Sequence, residues 1–261
     1  MAQQPPTVLS ELSAHVATIT INRPESRNCL TRETIRSLIA EFTGIQENHG
    51  VRCVVLRGAG TGAFCAGADL RELLDNPTPD ARRSLFGSVA SLIEAIHRCP
   101  VPVIAAVHGF ALAGGCGLAA ACDITLASEE AVFGLPEVGI GLAPMVVMAP
   151  ISRALGQKAL SSLVLTGERL SAAQALQAGL ITRVVPKAAL EDETAKLCAE
   201  LCHQSPEALK ASKLAIIEVA ERDYFPFLHE LADRSALLSL GPDAAEGLQA
   251  FTEKRAPSWR V

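Results

Sequence analysis

Apolar and polar positions alternate over Val16–Ile21, the period of a half-buried strand, and a shorter run at Val8–Leu12 is read as its partner. Arg23-Pro24 closes that pair. From Thr31, a residue suited to an N-cap, apolar side chains recur at Ile35, Leu38, Ile39, Phe42 and Ile45. The 3.6-residue period predicts a helix to about His49. Cys53–Leu56 and Val103–Val107 are short continuous apolar runs, the pattern of buried strands. Between them lie a glycine-rich loop from Gly58 to Gly67, a short helix from Asp69, a loop at Asn76–Pro79, and a helix over about 80–97. A second glycine-rich loop follows, then helix over Leu118–Ala121 and strand over Ile124–Ala127. The uncharged tract Gly139–Ser152 enters another helix.

Ser171 and Gln174 have capping-box spacing, and Gly179 suits the end of that helix. Ile181–Val185 reads as a strand ended by Pro186, and everything beyond it as helix. Ser205-Pro206 is an N-cap with proline at the first helical position. The last helix starts at Asp243 and ends near Pro257. Strands and helices alternate to about residue 185 and helices alone follow, so the expectation is an α/β core with a C-terminal helical segment.

Composition narrows the class. The 261 residues are 49% hydrophobic and 20% charged, enough for one sizeable core. The net charge of −5 and 4% aromatics argue against nucleic-acid binding. Eight cysteines without a CxxC pair point to a reducing, cytoplasmic setting. Cys198 and Cys202, with His203 adjacent, read as a buried pair rather than a metal site, and no metal is expected. The N-terminal residues lack the basic-then-apolar pattern of a secretory leader. Cys99–Cys122 is uncharged and long enough to span a bilayer, but its prolines and glycines break it into core elements, so no membrane partner is expected.

The chemistry concentrates in two glycine-rich loops, Ala63–Asp69 and His108–Gly117, each following a buried strand and preceding a helix. Such loops expose backbone N–H donors, and a helix N-terminus adds positive potential. Two donors aimed at one point would form an oxyanion hole; the alternative is a pair of tight turns. Gly115-x-Gly117-x-x-Ala120 fits a loose dinucleotide fingerprint, but the strand before it ends too early. Glu137, the only charge between Glu130 and Arg153, is either an exposed turn residue or a pocket acid/base. Cys65 and His108 would form a nucleophile pair if the loops meet. Asp123 reads as a structural hydrogen bonder, and Cys116 as packing.

The stretches 19–31, 63–70, 102–124, 131–144, 165–186 and 250–259 together resemble the enoyl-CoA hydratase/isomerase, or crotonase, family. The resemblance implies a crotonase/ClpP-like spiral of ββα units over 1–190, carrying the acyl-CoA site, and a helical trimerisation region over 191–261. It implies an acyl-CoA thioester as ligand, with coenzyme A part of the substrate and no separate cofactor. The thioester oxygen would be held by the N–H groups of Ala68 and Gly114, with Glu137 as acid/base. Arg27, Ala66, Asp69, Gly117 and Lys254 fall where the family binds substrate or CoA, Lys254 across a subunit boundary of a homotrimer or dimer of trimers. Asp69 has a second reading, as the cap of the short helix.

One departure matters. The family's hydratases carry a second glutamate where this chain has Gly117. Hydration shares its work between two carboxylates, whereas a 1,3-proton shift needs one group. The residue chemistry therefore favours isomerisation over hydration. The rivals from other classes are a non-catalytic acyl-CoA binder, against which Glu137 stands, and the RNA-binding branch of the family. The latter uses a lysine-rich first helix; here that helix has Arg32 and Arg36 against Glu33, Glu41 and Glu47.

Overall fold

The computed structural model describes residues 5–75, 78–220 and 241–258. Two sheets organise them. The larger has six strands in the order β1 (Val8–Ser13), β2 (Val16–Ile21), β3 (Cys53–Gly58), β5 (Val103–Val107), β7 (Ile124–Ser128) and β10 (Arg183–Val185). β1 and β2 form an antiparallel hairpin, and every other neighbouring pair is parallel. The smaller sheet runs β4 (Ala63–Cys65), β6 (Phe110–Leu112), β8 (Val132–Gly134), β9 (Arg169–Ser171), with the first three parallel.

The continuous apolar runs are explained by burial on both faces of the large sheet. Val54 and Leu56 face one core together with Ile35, Leu38 and Phe42 of α1 (Arg32–Glu47) and Leu85, Val89, Leu92 and Ile96 of α3 (Pro79–His97). Cys53 and Val55, turned the other way by the period of two, meet Leu190, Leu197, Cys198 and Cys202 of α8 (Leu190–Cys202). Helix α9 (Pro206–Val219) is pinned to the sheet's end by Lys213, whose Nζ donates to Asp123 Oδ2 at 2.7 Å and to the Val101 carbonyl at 3.0 Å. Asp123 also accepts the Val103 N–H at 2.7 Å, which bears out its structural reading. Helix α10 spans Pro242–Glu253.

The expected caps hold. Thr31 accepts from Thr34 N, Ser171 and Gln174 form a capping box closed by left-handed Gly179, and Ser205 accepts from Ala208 N. Four expectations need correction. The helix expected over Leu118–Ala121 is α4, Gly114–Ala121, and starts four residues earlier. The strand expected over Ile181–Val185 is only Arg183–Val185. The last helix stops at Glu253, where Lys254 turns left-handed with φ 56°. The first glycine-rich loop contains a strand, β4. Continuous helix beyond Pro186 was expected; residues 221–240 and the loop residues 76 and 77 lie outside the described residues. The uncharged Cys99–Cys122 stretch divides into β5, β6 and α4, and among the described residues no helix is long and apolar enough to cross a membrane.

Candidate active site

The small sheet brings the candidate residues together. Its parallel strands β4, β6 and β8 lie side by side with Cys65 opposite Ala111 and Leu112 opposite Gly134. Ala68 follows three residues after β4, Gly114 two after β6, and Glu137 three after β8. All three groups therefore leave the carboxyl ends of neighbouring strands, on one edge of the sheet, with about 4.8 Å between adjacent strands.

The backbone donors are directed by their surroundings. Ala68 forms a parallel bridge with Leu30, in which Leu30 N donates to Gly67 O at 2.8 Å and Asp69 N to Leu30 O at 3.0 Å. In that geometry the N–H of Ala68 itself points away from Leu30. Gly114 is the first residue of α4, whose opening N–H groups have no intrahelical acceptor. A β-carbon built on Gly114 would lie 3.7 Å from Ala68 N, and one on Gly67 would lie 3.2 Å from Gly114 N. The two loops thus touch through backbone. Gly115 makes this possible, since a side chain there would overlap the Cys65 carbonyl. The Gly114 N–H is aimed by Ala113, which holds φ 50° and ψ −120°, a region costly for any residue with a β-carbon.

Asn28 organises the first loop. It is fully buried in a left-handed conformation, with φ 56°. Its Nδ2 donates to the carbonyls of Ala59 at 2.9 Å and Ala63 at 2.7 Å, and its Oδ1 accepts from Arg23 N at 2.9 Å. It therefore ties the turn after β2 to both ends of the loop that precedes Ala68. Sequence reasoning missed it: Asn28 lies within the quoted stretch 19–31, but only its left-handed burial reveals the work its amide does.

Glu137 sits in the 3-10 turn Pro136–Ile140 after β8, half-buried, with Oε2 buried and lacking a hydrogen-bond partner. Burial pushes its carboxyl above the ordinary range, opposed in part by its own backbone N–H. The buried Oε2 sets Glu137 apart from a fully exposed turn carboxyl. Its charge is felt by Cys116 on α4. Gly117 is buried, and a β-carbon there would lie 2.6 Å from Val147 Cβ and 2.8 Å from its Cγ1. Val147, on α5 (Met145–Ala154), fills the space a side chain at 117 would need.

The other expected residues divide. Ala66 lies in the first loop, its N–H donating to the Arg27 carbonyl at 3.1 Å. Arg27 is exposed at the left-handed end of the turn Pro24–Ser26. Asp69 is engaged structurally: Oδ1 accepts from Arg71 N at 3.1 Å, capping α2 (Leu70–Asp75), and Oδ2 meets Arg23 Nη2 at 3.1 Å. Lys254 is exposed after α10, a helix that packs against α9. Cys65 and His108 form no activated pair. Burial pushes the Cys65 thiol up to about 12, and His108 Nε2 is buried without a partner. Cys116 is fully buried and likewise pushed up to about 12, as packing demands. The dinucleotide reading fails as well, because Gly115 and Gly117 lie inside a helix instead of in the turn that enters it. Among the described residues, no group of three or more His, Cys, Asp or Glu could hold a metal.

Known proteins share this architecture. The sequence profile of the enoyl-CoA hydratase/isomerase family matches residues 11–261. A short-chain-enoyl-CoA hydratase of Clostridium acetobutylicum is 34% identical over 250 residues, covering 95% of this chain and 95% of that protein. The crystal structure of a Mycobacterium smegmatis enoyl-CoA hydratase superposes with a TM-score of 0.95 at 35% identity, covering 98% of this chain and 100% of that one. Human enoyl coenzyme A hydratase domain-containing protein 3 superposes at 0.92 with 29% identity, covering 97% and 100%. With its two sheets, and with matches in sequence and structure over nearly its whole length, the chain is a crotonase-fold member of the enoyl-CoA hydratase/isomerase family.

Proposed function

We propose that the chain is an acyl-CoA enzyme that moves a double bond of an enoyl-CoA by a 1,3-proton shift, with Glu137 as its one acid/base. The thioester oxygen accepts hydrogen bonds from the N–H groups of Ala68 and Gly114. Removing a proton from the carbon next to the thioester places negative charge on that oxygen. Two donors fixed in advance by the Leu30 bridge and by Ala113 then favour the enolate over the ground state. Glu137 takes the proton from one carbon and returns it to another. Its raised pKa suits both halves of that exchange, because the carboxylate is basic enough to accept and the acid ready to give back.

The observation that carries this reading is that Val147 occupies the space a side chain at Gly117 would need. Hydration needs a water activated on one side and a carbon protonated on the other, the work of two carboxylates. The second position here holds no side chain, and Val147 closes the space beside it. Arg27 and Lys254 are the cations we assign to the CoA end, Lys254 from a neighbouring subunit of a trimer or a dimer of trimers. The exposed apolar residues Leu214, Ile216 and Val219 of α9 support such an assembly.

The alternative is a non-catalytic acyl-CoA binder. Glu137→Gln separates the two when turnover and CoA-thioester affinity are measured together. An enzyme loses at least a hundredfold in kcat and keeps its affinity. A binder shows no turnover before or after the change.

A further inference from the structure

Away from Ala68, Gly114 and Glu137, a cavity of about 960 Å³ opens to solvent between α8 and the outer face of β2 and β3. No proposed catalytic group reaches it. Strand register orders its floor. Thr18 pairs with Val55, Thr20 with Arg57, and Arg57 with Ala106. Alternation therefore turns Val16, Thr18 and Thr20 of β2, Val55 and Arg57 of β3, and Ala106 of β5 to one face, and all six line the cavity.

The length of the cavity and its end differ in chemistry. Along the strands the lining is mainly apolar, with Val16, Val55 and Ala106 on the sheet side and Leu190, Ala195 and Ala199 on α8. Thr194 turns its hydroxyl into its own helix, donating to the Leu190 carbonyl at 2.7 Å. From Val16 to Thr20 the floor runs about 13 Å, at about 3.3 Å per residue. At the carboxyl ends of the strands stand Arg57, His108 and Lys187. Arg57 is held in place by Thr20, its Nε donating to Oγ1 at 3.1 Å. Its Nη1 lies 3.7 Å from Oε1 of Glu191, a side chain 89% exposed. Lys187 Nζ pairs with the exposed Glu130 at 2.7 Å. Such surface pairs are worth little and exchange readily for a better partner. His108 Nε2 is buried without a hydrogen-bond partner, a polar atom still to be satisfied at this end. Burial, and then the charges of Lys187 and Arg57, hold its imidazole below the ordinary range, so both cations lie near it.

We propose that this cavity is a second ligand site, for an unbranched medium-chain aliphatic carboxylate whose head meets Arg57 beside Lys187 and whose chain lies along Val16 and Val55 beneath α8. The guanidinium is planar and matches the two oxygens of a carboxylate; with Nε engaged by Thr20, its Nη groups remain for the ligand. The entering carboxylate takes the place of Glu191 on Arg57. A bare phosphate would use the two cations and leave the apolar floor unused, whereas an aliphatic chain removes that floor from water. The site does not depend on the double-bond chemistry at Glu137.

The test is isothermal titration of the full chain with decanoate, with and without saturating butyryl-CoA. The expected result is one decanoate site of the same affinity in both conditions. Decanol, which has the same chain and no charge, should bind more weakly by about tenfold or more, the loss of a hydrogen-bonded charge. Arg57→Met should weaken decanoate by a similar factor. Ala195→Phe places a ring in the cavity from an exposed helix position and should abolish decanoate binding, while both variants keep the acyl-CoA affinity of the native chain. Glu191→Gln removes the competing carboxylate and should strengthen binding. Loss of the decanoate heat in the presence of butyryl-CoA would overturn the proposal, because the ligand would then occupy the acyl-CoA site. Decanol binding as tightly as decanoate would overturn it too, as would native affinity in both Arg57→Met and Ala195→Phe, or no decanoate binding at all.

Discussion

A β-carbon at Gly117 would lie 2.6 Å from the Cβ of Val147, so α4 and α5 pack too closely for any side chain at that position. The space a side chain at 117 would need is held by Val147 on the facing helix. Gly117→Ala should destabilise the fold by about 1–3 kcal/mol through overpacking, and Val147→Gly, which removes the Cβ it would meet, should recover part of that in the double variant. Denaturant unfolding of the four proteins of the cycle measures the coupling. Additive effects would show that the two positions do not press on each other. The same reasoning predicts that Gly117→Glu alone gains no hydration, and that adding Val147→Gly is required before any appears.

Asn28 ties two carbonyls of the first loop to the turn after β2. Asn28→Ala leaves the Ala63 carbonyl buried without that donor, at a cost of about 1–3 kcal/mol. Because the same loop aims the Ala68 N–H, kcat should fall along with stability. Asn28→Asp, which keeps the acceptor but loses the donor, should behave like Asn28→Ala. Full activity in either variant would remove Asn28 from the positioning of that donor.

Ala113 holds a conformation that suits glycine. Ala113→Gly should stabilise the protein by about 1 kcal/mol where strain relief exceeds the added freedom of the unfolded chain. Ala113→Val should destabilise it and depress kcat, since a branched side chain tolerates the angle still less. Thermal unfolding and initial rates report both.

The Glu137 carboxyl is raised by burial above its usual value near 4.5. The base form is lost as pH falls through the raised pKa, so the acid limb of kcat/KM should lie above 4.5. For stability the sign runs the other way from an ion-paired carboxylate. Below the unfolded pKa both states are protonated and nothing is lost; above the folded pKa a charged group occupies a poor site. Glu137→Gln should therefore be more stable than the native chain at pH 7, with the difference shrinking toward pH 4. Equal stability of the two proteins at both pH values would contradict the burial argument.

Much of this was legible in the sequence. The large sheet, α1, α3 and the caps at Thr31, Ser171 and Ser205 announce themselves because each spans enough residues for a period or a paired signal to show. The small sheet was missed. β4, β6 and β8 have three residues each, too few for alternation, and they lie inside glycine-rich tracts that read as turns. Yet that sheet is what lines up Ala68, Gly114 and Glu137. The ordered motifs of the family pointed to those residues, while Val147 and Asn28 became visible only in three dimensions. Val147 is one apolar residue in an apolar helix, and nothing in its own segment says that it faces Gly117. Asp69 shows the converse: its sequence context allowed a ligand role, and the structure engages both its oxygens in capping and in pairing with Arg23.

The most direct test of the single-carboxylate account is the mass and absorbance of the product formed from a trans-3-enoyl-CoA, beside the Glu137→Gln control. The account predicts a product of unchanged mass that absorbs as a conjugated enoyl thioester, formed by the native chain and at least a hundredfold more slowly by Glu137→Gln. A product heavier by one water would contradict it, because hydration would then proceed without a carboxylate at position 117.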